Sequence, residues 1–82
     1  MDKKYIIIGR STCHFCALAV DLCKAQKVKH TFLDYATKLE ILEDYKDFHQ
    51  QKTVPIILSN DLETGLVKKI GGYTDLLEQI IA

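Results

Sequence analysis

Cys13 and Cys16 stand three residues apart in the run YIIIGRSTCHFCALAV, just after a short apolar stretch. A pair at this spacing can be half of a zinc site, one end of a structural disulfide framework, or a thiol–disulfide redox couple. A structural zinc site takes four ligands, and no second Cys-x-x-Cys follows. The third cysteine, Cys23, lies seven residues beyond Cys16 on nearly the same helical face. It reads as a small buried apolar residue that cannot easily share a metal with Cys13. A Cys-x-x-Cys beside a βαβ pattern is the recognised signal of a redox pair.

Helix geometry divides the work between the two thiols. Cys13 falls at the opening of a predicted helix, where unpaired backbone N–H groups and the positive dipole end favour a thiolate. The thiolate is the form that attacks a disulfide. Cys16, one turn on, faces the apolar stripe and is better covered. The outer cysteine is therefore expected to attack and the inner one to resolve. His14 has two readings: charged, it helps stabilise the Cys13 thiolate; otherwise it is a surface residue. Phe15 is expected to project beside the pair as an apolar rim. His30, His49, Tyr5, Tyr35 and Tyr45 read as packing residues.

The elements that must position the pair follow from periodicity. Tyr5–Ile8 is a buried strand ending at Gly9, and a helix runs from Cys13 to about Lys27. Val28–Leu33 alternates as a second strand. Thr37-x-x-Glu40 has the form of a capping box and starts a second helix that reaches about His49. TVPIILS is a third strand, SNDLETG a hairpin turn, and Leu66–Ile70 a fourth strand. Gly71-Gly72 breaks the chain, and Thr74 is expected to cap a last helix. The order β-α-β-α-β-β-α predicts an α/β fold: a parallel first βαβ unit, a terminal hairpin, and a four-stranded mixed sheet carrying three helices.

Composition sets the limits. The 82 residues make one small domain, 1–82, with 48% hydrophobic and 27% charged residues. Eleven basic side chains balance eleven acidic ones, so general attraction to nucleic acid is not expected. The charge is uneven. Residues 1–30 carry six Lys or Arg against two Asp, whereas residues 31–50 carry five acids against two Lys. The cysteine pair thus sits in the basic third, which suits a thiolate or a small anionic partner. No apolar run reaches membrane-spanning length, and YIIIG is too short for the core of a signal peptide. A cytoplasmic protein is expected, in which three cysteines are not a disulfide framework and the termini leave no room for a further domain.

Cys13-His14-Phe15-Cys16, Thr53-Val54-Pro55 and Gly71-Gly72-Tyr73-Thr74-Asp75, at these separations, together resemble the glutaredoxin family, over nearly the whole chain from Tyr5 to Ile80. The resemblance implies a thioredoxin-like fold and reduction of protein disulfides and glutathione mixed disulfides. It implies glutathione as co-substrate, no tightly bound cofactor and no metal. It makes Cys13 the nucleophile, Cys16 the resolving thiol, and Pro55 a cis proline that presents Val54 backbone groups to the cysteinyl part of glutathione. Arg10 and Gln51 match the positions that hold one glutathione carboxylate, with Thr53 beside them. Thr74 and Asp75, after Gly72, match those that bind the γ-glutamyl end. Glutathionylated or disulfide-containing proteins are the implied partners of an expected monomer. Ribonucleotide reductase is a partner within the family to which no residue here points.

The chain departs from the family's usual C-P-Y-C at both middle positions. Without Pro it loses a preorganised helix start, and without Tyr a hydroxyl contact. Because both cysteines are kept, the serine-containing iron–sulfur type is disfavoured, although some dithiol members hold a cluster between two monomers. Three rival readings remain at this point. One is a thioredoxin-type reductant recycled by a flavoprotein reductase, which usually has Trp before the first cysteine, where this chain has Thr12. Another is an iron–sulfur or metal carrier, and the third is a fold used only for binding, with an idle cysteine pair.

Overall fold

The structure, a computed structural model, describes residues 3–81. Its elements are β1 (Lys3–Gly9), α1 (His14–Ala25), β2 (Lys29–Asp34), α2 (Leu39–His49), β3 (Ile56–Asp61), β4 (Val67–Gly71) and α3 (Tyr73–Ile81). The strands lie in the order β2-β1-β3-β4, with β1 parallel to β2 and antiparallel to β3, and β3 antiparallel to β4. This is the expected thioredoxin-like topology.

β1 is an apolar run because both of its faces are covered. Tyr5 and Ile7 enter one cluster with Ala19 and Cys23 of α1, Ile57 of β3 and Leu76 of α3. Ile6 and Ile8 join another with Leu42 and Tyr45 of α2 and Ile56 of β3. α1 and α3 therefore cover one face of the sheet and α2 the other. Ile7, Ile8, Ile56 and Ile57 are fully buried, and each such side chain contributes on the order of 2 kcal/mol of transfer free energy. Cys23 lies in this core, as its spacing predicts.

Three expectations about helix ends need correction. α1 stops at Ala25, not Lys27. Lys27 turns left-handed (φ 55°) while its N–H and that of Val28 bond back to Lys24 and Cys23 carbonyls. Thr37 does not cap α2: the cap position is Lys38, and no side chain bonds there. The turn before it is organised by Asp34, whose Oδ1 accepts from the N–H of Ala36 at 3.0 Å. Thr74 does not cap α3 either, because it lies inside the helix. Gly72 O accepts from Leu76 N at 3.1 Å, and Asp75 Oδ2 accepts from Gly72 N at 2.9 Å. The reach-back half of a capping box is thus present without a hydroxyl at its start.

The β3–β4 pairing slips between Ile57 and Leu58, because Ile57 faces Gly71 while Leu58 faces Lys69. Ile70 is the extra residue, a bulge at the end of the strand that leads into α3.

Candidate active site

β1 delivers the chain to Gly9, and a three-residue turn carries it to Cys13. Two contacts hold that turn. Cys13 N donates to Arg10 O at 3.1 Å, and Ser11 N donates to Asp34 Oδ1 at 2.9 Å. Cys13 occupies the cap position of α1 with extended backbone (φ −93°, ψ 125°). Its side chain therefore stands outside the first turn, where N–H groups have no intrahelical acceptor. Cys13 is half-buried, whereas Cys16 is fully buried. The spacing argument predicts this division.

The two thiols differ in acidity. Burial alone would raise the Cys13 pKa, but hydrogen bonds from the Cys16 N–H and thiol and from the Phe15 N–H outweigh it. With the positive charge of Arg10, they hold Cys13 below the ordinary thiol value. Cys16 is pushed up to about 12, first by burial and then by its hydrogen bond to Cys13 and the charge there. Its sulfur fills the space beside Gly9, where any Cβ would collide with it. Cys23, raised by burial, stays in the core away from this chemistry.

The Val54–Pro55 peptide is cis, and Cys13 Sγ lies 3.9 Å from Val54 O. Pro55 is buried, while Thr53 beside it is exposed. Gln51 braces this loop: its Nε2 donates to Thr53 O at 3.0 Å and to Pro55 O at 2.8 Å. From the loop a groove of about 610 Å³ runs to the start of α3. Gln51, Thr53, Val54 and Pro55 line one part of it, and Gly72, Thr74 and Asp75 another. Phe15 forms a wall with Tyr73, their ring centroids 6.1 Å apart.

Seven of the expected binding residues thus meet at one groove. Arg10 is not among its lining residues. It is exposed, its side chain makes no hydrogen bond or ion pair among the described residues, and its charge acts on the cysteines. His14 is likewise exposed and outside the lining, edge-on to Phe15 with ring centroids 5.5 Å apart. Lys69 and Ile70 line the groove without having been expected there. No motif marks Lys69: its place depends on the strand register, which single-sequence periodicity does not provide. Among the described residues no group of three or more His, Cys, Asp or Glu side chains could hold a metal ion, and no helix is long and apolar enough to cross a membrane.

No protein-family model matches the chain, and no curated protein matches it. Solved structures do. A buckwheat glutaredoxin in complex with glutathione is similar with a TM-score of 0.71 at 16% identity, over 94% of this chain and 67% of that one. Glutaredoxin 1 from Francisella tularensis, complexed with cacodylate, is similar with a TM-score of 0.60 at 21% identity, over 94% of this chain and 90% of that one. At these identities the likeness establishes the shared fold.

Proposed function

We propose that the chain is a glutaredoxin-type thiol–disulfide oxidoreductase that reduces protein disulfides and glutathione mixed disulfides at the expense of glutathione. The observation that carries this reading is one juxtaposition. An acidified, half-exposed Cys13 thiol faces the carbonyl before a cis proline, next to a groove that ends at a helix N-terminus. That groove suits a short extended peptide with a thiol in its middle and a carboxylate at its end. The similar buckwheat protein was solved with glutathione, which fits that description.

In the proposed reaction the Cys13 thiolate attacks one sulfur of a substrate disulfide. The substrate S–S bond breaks, a mixed disulfide forms, and the departing thiolate takes up a proton. When the mixed disulfide carries glutathione, a second glutathione thiolate attacks its sulfur and releases oxidised glutathione and the Cys13 thiolate. For a protein disulfide, Cys16 attacks Cys13 Sγ, the mixed disulfide breaks, and the second substrate thiol leaves. Two glutathiones then reduce the Cys13–Cys16 disulfide, so two electrons pass from glutathione to substrate. Forming the mixed disulfide removes the negative charge and hydrogen bond of Cys13 that help raise the Cys16 pKa. Cys16 therefore becomes easier to ionise at the step where it must act. Thr74 and Asp75 would receive the γ-glutamyl end, the first with its N–H at the helix start and the second with its carboxylate facing the ammonium.

The test is glutathione-dependent reduction of a glutathionylated small thiol, followed through glutathione reductase. Turnover is expected to survive Cys16→Ser and to vanish in Cys13→Ser, while reduction of a protein disulfide falls in both. No turnover in folded, fully reduced protein would reject the reading. Equal loss of both activities in Cys16→Ser would reject the division of roles.

A further inference from the structure

We propose that Lys69 is the specificity-determining residue for the carboxylate at the C-terminal, glycyl end of the glutathione unit; this rests on the glutathione-dependent reading above. Three observations point to it. Lys69 is the only cationic side chain among the residues that line the groove. Its Nζ donates to His49 O at 2.7 Å, which anchors it at the C-terminal turn of α2, where the helix dipole favours a positive charge. An ammonium has three donor hydrogens, so two remain for a ligand.

The third observation concerns the residues otherwise expected to take that carboxylate. Both amide hydrogens of Gln51 are engaged by the Thr53 and Pro55 carbonyls, which leaves its side chain only an acceptor oxygen toward the groove. Arg10 lies outside the lining. A glutathione unit carries one carboxylate at each end and the sulfur between them. The opening turn of α3 offers backbone N–H groups to one carboxylate, and Lys69 offers the only side-chain cation in the groove to the other. Gln51 then acts on the loop and Lys69 on the ligand.

The test is a single-turnover rate. Reduced protein is mixed with the disulfide of glutathione and 2-mercaptoethanol, or with the same disulfide esterified at the glycyl carboxylate. Glutathionylation of Cys13 is followed by mass. The wild type is expected to prefer the free acid by about two- to fivefold, the scale of an exposed ion pair. Lys69→Gln, which keeps a donor for His49 O, should remove most of that preference, and Lys69→Arg should keep it. An unchanged acid-to-ester ratio in Lys69→Gln overturns the proposal, whether or not the absolute rate falls, because a bracing role alone would slow both substrates equally. A wild type indifferent to the ester overturns it too. The underlying reading fails separately, if Cys13 takes glutathione no faster than cysteine from the corresponding cysteine disulfide.

Discussion

Replacing Gly9 with alanine tests whether the buried thiol is held by shape. The backbone at Gly9 does not require glycine, since φ is not positive there. The constraint is the Cys16 sulfur, which occupies the position a Cβ would need. The next nearest atoms, Cys16 Cβ at 3.4 Å and Phe32 Cε1 at 3.8 Å, would tolerate the methyl group, so the conflict is with one atom. That atom is fully buried and has no solvent to move into. Overpacking of this kind costs about 1–3 kcal/mol. In a domain of this size that lowers Tm by roughly 5–20 °C. The assay is thermal and urea unfolding of four reduced proteins: wild type, Gly9→Ala, Cys16→Ala and the double variant. Removing the sulfur should cost on the order of 1 kcal/mol alone, through the void it leaves. In the double variant the new methyl fills that void, so its cost should fall below the sum of the single costs by about 1 kcal/mol or more. Costs that add to within about 0.5 kcal/mol would refute the steric argument.

The remaining predictions concern acidity and helix ends. Cys13 should react with iodoacetamide with a midpoint below the ordinary thiol range, while Cys16 stays silent there, since its pKa is pushed up to about 12. Arg10→Gln should move the Cys13 midpoint upward, and an unmoved midpoint would show that the Arg10 charge does not act on the thiolate. The linkage has a definite sign. Because the folded Cys13 pKa is depressed, its stabilisation is present above the unfolded thiol pKa and is lost as pH falls through the folded value. Lys27→Gly, at the left-handed position after α1, should stabilise the fold by up to about 1 kcal/mol, measured by urea unfolding, because glycine adopts that conformation without a Cβ penalty. A fall in stability would mean that the Lys27 side chain does more than end the helix.

What could be read in advance was whatever depends on neighbours along the chain. The exposure difference between Cys13 and Cys16 follows from one helical turn, and the doubly covered β1 from an unbroken apolar run. The helix caps were misread because a hydroxyl in the right window does not guarantee that the backbone places it there. Asp34 organises the turn that Thr37 was expected to start, and Gly72 occupies the position assigned to Thr74. The groove was legible where motifs mark it, at Thr53-Val54-Pro55 and Gly72 to Asp75. It was illegible at Lys69, which reaches His49 across 20 residues of sequence. Gln51 lines the groove, but the two backbone bonds that occupy its amide cannot be seen without the folded loop.

The extra residue at Ile70 is an insertion that the sheet absorbs. Along β4, a residue is worth about 3.3 Å of advance and one reversal of face. With Ile70 present, Lys69 stands opposite Leu58 and Gly71 opposite Ile57, so the strand reaches α3 one residue later than an unbroken ladder would allow. Removing Ile70 would leave Lys69 opposite Leu58 and Gly71 opposite Ile57 in an unbroken ladder, so α3 would keep its start and the groove would lose one apolar wall residue. The bulge thus adds a side chain to the groove while the cross-strand partners on either side of it stay in register.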